Sequence, residues 1–381
     1  MRRRALPTLL ALLLGAGAAG AGISPAEAAR EAARQLERAS LSLQQAEDAR
    51  DRVAALTRTV KGFEAGLAAL REGLRRAAIR EAQIGRELKV QEDEIARLLG
   101  VLQSMGHSAA PALLLHPQGP MGSARSGMIL ADVAPALEAR AARLRRDLEE
   151  VAILRDLQQS AAEDLQGGLR GVQDARSALS QAIADRTDLP RRFADDPVKT
   201  ALLIASTETL EGFASGLSLI QTETASRAAE LPDITDRMGT LPLPVEASVL
   251  RQAGEADAAG IRRPGMLLAT RPNALVVSPT AATIRYRGPL LDYGNVMILE
   301  PQAGLMLVLA GLAVVYGETG QVIPEGSPVG LMGGDEAQIG AILSTSGDDT
   351  GNRRTETLYI EVRQGKDAVD PEIWFRTDKD G

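Results

Sequence analysis

The chain has 381 residues and no cysteine, so disulfide bonds, thiolate metal sites and cysteine nucleophiles are excluded. The formal net charge is −7 and the two signs of charge alternate along the sequence, which leaves no broad basic surface for nucleic acid. Aromatic residues make up only 2% of the chain, a proportion typical of long helices and not of a large globular core.

The first residues have the features of an export signal. Three arginines, Arg2 to Arg4, precede an apolar run that continues to Ala21. Small-x-small patterns end at Ala21 and at Ala28, and each is a candidate cleavage site. We predict a signal peptide over residues 1–21, or alternatively 1–28, and an exported mature protein. A retained membrane anchor is the other interpretation, which the shortness of the run disfavours.

Two long stretches with heptad periodicity follow. In the first, no proline occurs between residues 26 and 110, and apolar residues recur at alternating steps of three and four. A repeat averaging three and a half residues over this length is typical of a left-handed coiled coil. The apolar positions of the two stretches include Val53, Leu56, Val60, Phe63, Leu67, Leu70 and Leu74, and then Leu144, Leu148, Val151, Leu165, Leu169, Val172 and Leu179.

A Pro- and Gly-rich connector joins the two stretches. We therefore predict an antiparallel coiled-coil hairpin over residues 26–187, with a first helix of roughly 120 Å at the α-helical rise per residue. The hairpin either dimerises or spaces the next domain, or it reaches a partner through an apolar tip over residues 111–121.

A linker over residues 188–240 follows, and Pro190 and Pro197 end the coiled coil there. It contains an amphipathic segment over about 198–230, which either packs structurally or docks reversibly on the next domain. Its apolar face consists of Leu202, Leu203, Leu210, Phe213, Leu217 and Ile220.

From residue 241 to 376 the periodicity is that of strands. Six short β-branched or apolar runs are separated by Gly, Pro, Asn and Asp, which predicts a compact all-β domain. The expected fold class is thus α+β and multidomain, with a helical hairpin before the β domain. The runs begin at Leu275, Thr283, Val296, Leu305, Gln321 and Leu358.

Several motifs in this region resemble, in order, those of the LytM-type (lysostaphin-like) zinc endopeptidases, whose domain has the duplicated hybrid motif fold. Residues 264–269 resemble the opening strand of that family, and residues 292–298 resemble its Gly-Tyr-Gly-Asn-x-Val-x-Ile motif. Residues 315–330 resemble its Gly-rich turn. Residues 355–363, Thr-Glu-Thr-Leu-Tyr-Ile-Glu-Val-Arg, resemble the last core strand, which in the family contains His-x-His-Phe-Glu-Val-Arg.

The same resemblance implies that the metal and catalytic residues of the family are replaced. Arg263 stands at the first zinc-binding His, Leu267 at the zinc-binding Asp and Gly311 at a catalytic His, while Thr357 and Tyr359 replace the two histidines of the last strand. A cation and an apolar side chain cannot hold zinc, and no general base remains to activate water. The resemblance therefore implies a domain that is not an enzyme and has no metal or other cofactor.

Such a domain would retain the groove in which the substrate of the family lies. Tyr359 and Arg363 share one face of the last strand with Thr357, and Tyr293 and Val296 head another strand. Tyrosine and arginine are well suited to binding a peptide or a helix. We take these five residues as candidates for a partner-binding groove; the alternative for each is packing in the core or at an edge.

The order of export signal, coiled coil, intermediate helix and metal-less domain resembles that of the EnvC-type murein hydrolase activators, as does the phrase at residues 110–117. The resemblance implies a periplasmic, non-catalytic regulator of septal cell-wall splitting in cell division. Its groove would bind a peptidoglycan (N-acetylmuramoyl-L-alanine) amidase and release the autoinhibition of that enzyme. The coiled coil would couple to an FtsEX-like division complex, and the intermediate helix would restrain the groove.

Other classes of function remain open from the residues alone. One is a zinc-dependent peptidoglycan endopeptidase with atypical ligands. The other is a structural cell-wall-binding or spacer protein, for which peptidoglycan itself would be the partner.

Overall fold

The structure is a computed structural model that describes residues 25–90, 96–97, 100, 119–186, 189–192, 197–207, 209–219, 233–258, 260–334 and 356–377. The chain divides into two compact units. Of the described residues, the helical unit contains those within 70–166, and the main unit contains those within 25–69, 167–334 and 356–377. The predicted signal peptide before residue 25, residues 111–118 of the predicted tip, and residues 220–232 lie outside the described residues.

The first predicted helix consists of two helices, α1 (Pro25–Gln44) and α2 (Ala49–Val90). Asp48 starts the second helix, because its carboxylate accepts a hydrogen bond of 2.7 Å from the Asp51 amide. α1 folds back along α2: an added Cβ at Gly62 would lie 3.0 Å from Leu36, and one at Gly66 would lie 3.6 Å from Ala32. The expectation of a single first helix of roughly 120 Å is therefore wrong, because the helix is interrupted between Gln44 and Ala49 without a proline.

α2 pairs in antiparallel fashion with the long helix α3 (Gly119–Ala184). In the main unit, Phe63 and Leu67 of α2 lie against Gly171 and Gly168 of α3. In the helical unit, Arg80 donates to Glu150 and Arg155 donates to Glu81, each at 2.7 Å. Residues 63 and 67 of α2 meet residues 171 and 168 of α3, and residues 80 and 81 meet residues 150 and 155. The later part of α2 thus meets the earlier part of α3, which confirms the antiparallel pairing that the heptads predict.

None of the described helices has a stretch that is long and apolar enough to cross a bilayer.

The linker contains two short helices, α4 (Pro197–Ser206) and α5 (Leu210–Leu219), which we call the arm. Thr209 separates them by accepting a hydrogen bond of 3.0 Å from the Gly212 amide, which starts α5. The predicted apolar face is confirmed in α5, where Leu210, Phe213 and Leu217 are buried. It is wrong at Leu202, which is 69% exposed, because the break resets the helical phase between the two helices.

In the described part of the β domain, ten strands form one sheet and all pair in antiparallel fashion. The main path of strands has the order β1-β2-β9-β6-β5-β4-β7. In addition, β8 pairs with β3 and β6, and β10 pairs with β9. The strands are β1 (Ala247–Arg251), β2 (Met266–Thr270), β3 (Leu275–Val277), β4 (Ala282–Pro289), β5 (Asn295–Gln302), β6 (Leu305–Val315), β7 (Val322–Ile323), β8 (Pro328–Met332), β9 (Glu356–Gln364) and β10 (Asp367–Val369).

The predicted fold class is confirmed, with a long helical region followed by an all-antiparallel β domain. All six predicted runs coincide with strands, and the opening strand that the resemblance identifies is β2, whereas β1, β8 and β10 are not among the predicted runs. The ends of the domain are joined, because Leu241 donates to the Trp374 carbonyl at 3.1 Å and accepts from the Arg376 amide at 2.9 Å.

Candidate functional site

β9 presents its two faces to different surroundings, as the strand alternation requires. Leu358, Ile360 and Val362 belong to the main core of the domain, together with Trp374. The opposite face carries Tyr359 and joins a second cluster of buried residues. We call the surface formed by this second cluster the groove face; its sheet residues include Tyr286, Val296, Ile298, Met306, Val308, Ala310 and Tyr359.

Tyr359 lies at the centre of the groove face, and its hydroxyl group both donates and accepts a hydrogen bond within the domain. The hydroxyl donates to a Glu361 carboxylate oxygen at 2.7 Å and accepts from the Gly265 amide at 3.0 Å. Burial raises the pKa of Tyr359 well above its ordinary value, and the neighbouring Glu361 carboxylate raises it further. The phenol therefore stays neutral at any physiological pH.

The glycine at residue 265 is required by this arrangement. A Cβ there would overlap the Ile360 carbonyl oxygen and would lie 2.7 Å from the Tyr359 hydroxyl. The backbone of residue 265 can approach the tyrosine only because it has no side chain.

Arg363 is completely buried and forms an ion pair with Glu361. It also donates to the backbone carbonyl of Lys366 and, at 2.6 Å, to the Ser215 hydroxyl of α5. The two terminal nitrogens of the guanidinium are thus paired within the protein and beneath the arm, whereas its buried Nε has no hydrogen-bond partner among the described residues. In this structure Arg363 is packed within the domain, and the binding of a partner by Arg363 stays a prediction.

The arm covers the groove face. Leu210, Phe213 and Leu217 of α5, spaced as one helical stripe, are buried in the groove-face cluster. The Phe213 ring meets the Tyr286 ring edge to face, with centroids 4.7 Å apart. Near the end of α5, Arg285 donates to the Leu217 carbonyl at 3.2 Å, a cationic contact that is favourable in the last turn of a helix.

α4 covers the neighbouring part of the groove face. Its Leu203 and Ile204 pack against the groove-face cluster, as Leu267 and Tyr293 also do. The two helices are closely packed together, because a Cβ at Gly216 would overlap a methyl group of Leu203. The arm therefore behaves as one element of two helices.

The five predicted groove residues fall into two groups. Tyr359, Arg363 and Val296 are buried, and Tyr293 is half-buried in a short 3-10 turn before β5. Thr357 is exposed at the margin of the groove face. The structure thus brings four of the five beneath or beside the arm.

The five positions that the resemblance assigns to the metal site also converge. Leu267 lies directly opposite Tyr359 in the β2–β9 pair, and Tyr359 is paired on its other side with Ala310, the residue before Gly311. An added Cβ at Gly311 would lie 2.6 Å from the Thr357 carbonyl oxygen. Arg263 places its guanidinium 5.9 Å from the centroid of the Tyr293 ring.

These residues do not fit a zinc ion. A zinc site takes imidazole, thiolate or carboxylate ligands, whereas Leu267 is apolar, Arg263 is a cation and the Tyr359 phenol is neutral and already hydrogen-bonded. Within the described ranges, no three His, Cys, Asp or Glu side chains are grouped so that they could hold a metal ion. Both histidines of the chain, His107 and His116, lie outside those ranges.

Gly311, the position at which the resemblance implies a catalytic histidine of the family, has a backbone conformation that disfavours any side chain. Its φ angle is +96°, a conformation that side-chain-bearing residues rarely adopt, and a Cβ would also contact the backbone oxygen of Thr357. Restoring a histidine at residue 311 would require the local strand to shift.

We expect Gly311→Ala to lower the free energy of unfolding by about 2–4 kcal/mol, through backbone strain and the clash together. Gly326→Ala is the matched control, because Gly326 has a φ of +74° but open space where its Cβ would lie. Urea denaturation should show a clearly smaller loss for the control. Equal losses would mean that the contact with Thr357 is unimportant.

Some residues of the site are not evident from the sequence. Arg285 and Ser215 hold α5 on the groove face, and Glu361 joins Tyr359 to Arg363. One signal does exist, since Arg285 lies between Ile284 and Tyr286 in a predicted strand run. Ser215 resembles any small residue of a helix surface, so no sequence pattern identifies its contact.

Comparison with known proteins places this site in a family context. Residues 262–371 match the protein-family model described as Peptidase family M23. No curated protein matches the sequence. The matched segment includes the strands of the groove face and the positions that the resemblance assigns to the metal site.

Solved structures with a similar C-terminal part include Csd3 of Helicobacter pylori, with 20% identity and a TM-score of 0.28, and a peptidase M23 of Pseudomonas aeruginosa, with 18% identity and a TM-score of 0.27. A zinc-containing peptidase from Vibrio cholerae has 18% identity and a TM-score of 0.28. Each match covers 36% of this chain, and 35%, 50% and 39% of the respective relatives. Because these TM-scores are low, the fold assignment rests on the sheet itself and on the family model.

Proposed function

We propose that this protein is a non-catalytic activator of a peptidoglycan amidase, and that its groove face is the surface that binds the amidase. The observation that carries the proposal is that the arm covers the groove face at the very strands where the metal-site residues are replaced. A helix-binding surface occupies the place where an M23 peptidase would hold its metal and substrate.

The cell wall as the setting of this function follows from the M23 domain at residues 262–371. A domain of this family that has lost its ligands can still act on peptidoglycan through another enzyme. The residues at the metal-site positions support a role through another enzyme. Leu267 packs and Tyr359 forms hydrogen bonds at positions where a zinc ion would need ligands.

We propose that the arm regulates the binding of the amidase to the groove face. A ligand shifts a conformational equilibrium only by binding one state better than the other. An amidase segment that needs the groove face binds only when α5 has left it, so the arm and the amidase compete for one surface. α5 also indicates the kind of segment that fits, namely an amphipathic helix with apolar residues at the spacing of Leu210, Phe213 and Leu217.

Export to the periplasm and coupling of the coiled coil to an FtsEX-like division complex are parts of the same proposal. α1 begins at Pro25, and its Ala32 and Ala39 are buried. Cleavage after Ala21 leaves this helix intact, whereas cleavage after Ala28 removes its first turn. We therefore favour Ala21 as the processing site, which N-terminal sequencing of the exported protein would test.

A reconstituted assay on dye-labelled sacculi tests the proposal. Dormant amidase alone and the purified chain alone should each release little dye, and the two together should release more. Dye release by the chain alone, together with bound zinc, would support an endopeptidase with atypical ligands. Binding to sacculi without any effect on the amidase would support a structural cell-wall or spacer protein.

A further inference from the structure

β1 lies at one end of the main path of strands, and its outer edge is open. Among the described strands it pairs only with β2, and no described residue forms a bridge along its other side. Ser248 is exposed, and Val249 and Leu250 are 38% and 53% exposed. A strand edge that combines unpaired backbone groups with exposed apolar side chains is a template for the addition of another strand.

The opposite end of the main path is covered by the chain itself. Residues 189–192 lie along the edge beyond β7, where the Val322 amide donates to the Pro190 carbonyl at 2.8 Å. Arg191 forms an isolated antiparallel bridge with Gln321 at the same edge. The protein therefore covers the β7 edge with its own backbone, whereas the β1 edge can accept a strand from a second molecule.

A β-bulge determines which side chains of β1 share a face. Val249 lies opposite Leu268 of β2, and Arg251 lies opposite Leu267, so Leu250 is an extra residue between the two pairs. Residues that lie opposite each other share a face of the sheet, and consecutive residues of β2 alternate between the faces. The bulge therefore moves Arg251 to the face opposite that of Val249.

The charges of β1 are arranged symmetrically about Ser248 as a result. Ser248 lies opposite Ala269, and the Glu246 carboxylate accepts a hydrogen bond of 2.9 Å from Arg271, two residues further along the neighbouring chain segment. Counted by these neighbours, Glu246 lies two places before Ser248 and Arg251 lies two places after it. All three residues of β1 and its N-terminal flank thus lie on one face, with the opposite charges at equal distances from Ser248.

This symmetry makes the edge complementary to itself. When two copies of β1 pair in antiparallel fashion about a twofold axis at Ser248, each Ser248 lies opposite its own copy, and Ala247 lies opposite Val249. Glu246 of each copy then lies opposite Arg251 of the other, and opposite charges in such cross-strand pairs are stabilising. The Glu246 side chain is 71% exposed, so it can accept this second cation in addition to Arg271.

We infer that β1 is the interface of a homodimer, in which a second copy of this chain extends the sheet by antiparallel pairing centred on Ser248. Backbone pairing is limited to residues 247–249, because the bulge at Leu250 ends the regular edge. An interface this small implies a reversible dimer with a Kd on the order of 10–100 μM. The pair is closed, since each copy uses its one β1 edge. The twofold axis is perpendicular to the sheet, so both groove faces lie on the same side of the joined sheet.

Disulfide formation in single-cysteine variants of the full chain tests the register of the dimer. The chain has no cysteine, so Ser248→Cys introduces a single thiol. Across an antiparallel pair the two Cα atoms of residue 248 would be about 4.5–5.5 Å apart, which a disulfide can span. Leu250→Cys is the matched control on the same exposed edge, because its two copies would be roughly 10 Å or more apart at the rise of a strand.

Under mild oxidation at a concentration near the Kd, Ser248→Cys should form a disulfide-linked dimer at least about tenfold faster than Leu250→Cys. Equal rates for the two variants would overturn the inference, because random collisions do not distinguish neighbouring exposed positions. The absence of a linked dimer for Ser248→Cys would overturn it as well.

Charge reversal supplies a second measurement, by sedimentation equilibrium of the full chain without introduced cysteines. Arg251→Glu should weaken dimerisation at least about fivefold, since it places two like-charged pairs across the twofold axis. The double variant Glu246→Arg with Arg251→Glu should restore the Kd to within about threefold of the unmodified chain, because the pairs are again opposite in charge.

Dimerisation that Arg251→Glu leaves unchanged would overturn the inference, because the contact would then lie elsewhere, for example in the coiled coil. A chain that stays monomeric at concentrations well above the expected Kd would also overturn it. The inference does not depend on the proposed function, and neither experiment contains an amidase, so a failure here is distinguishable from a failure of amidase activation.

Discussion

Arg363→Ala is expected to lower the free energy of unfolding by about 3–5 kcal/mol, because it strips the buried Glu361 carboxylate of its counter-charge. Glu361 and Arg363 are each no more than 2% exposed, so water cannot replace the lost contact. Urea denaturation of the purified variant measures the loss. A value below about 1 kcal/mol would place this pair among the weakly coupled ones.

The matched control replaces both charges at once. The double variant Arg363→Met with Glu361→Leu removes the pair without leaving an unpaired charge, and it should recover most of the stability lost in Arg363→Ala. The Tyr359 hydroxyl loses its acceptor in this variant, so the recovery should be incomplete. A double variant as unstable as the single one would contradict the role given to the charges.

Phe213→Asp is expected to open the arm and to tighten amidase binding by about 100-fold. An aspartate in the apolar contact with Tyr286 would have to be desolvated without a partner, which disfavours the closed state. The apparent affinity is the intrinsic affinity multiplied by the fraction of molecules whose groove face is uncovered. A substitution that raises this fraction therefore raises the apparent affinity by the same factor. Titration of the amidase into the full-length variant measures the change.

Leu202→Asp is the control for this substitution, because Leu202 belongs to the same arm but is 69% exposed. It should leave the affinity within about twofold of the unmodified chain, as surface substitutions usually do. If both variants bind alike, the covering of the groove face by α5 does not limit amidase binding.

Much of the fold could be predicted from the sequence because its elements have strong local signals. The heptads around Val53 and Leu179 determine the helical pairing, and the runs of β-branched residues determine most strands. The helix breaks at Asp48 and Thr209 are harder to predict, since a capping side chain is a weaker signal than proline.

The candidate site is predictable in its positions but not in its contacts. Motif order alone brings Leu267, Gly311 and Tyr359 to neighbouring strands, as the register shows. Arg363 donates a hydrogen bond to Ser215, which is distant in the sequence and has no recognisable pattern. Contacts of this kind arise from tertiary packing, so the sequence predicts a groove and a helix able to cover it, and the structure adds the contacts that hold the two together.

The most direct test of the central claim uses a variant in which a Gly/Ser linker replaces the arm, residues 197–219. The measurement is the dye that a dormant amidase releases from labelled sacculi when this variant is present. We expect this variant to stimulate the amidase more strongly than the intact chain does, and to release nothing when the amidase is left out. Equal stimulation by the intact chain and the variant, or dye release by the variant alone with bound zinc, would contradict the account.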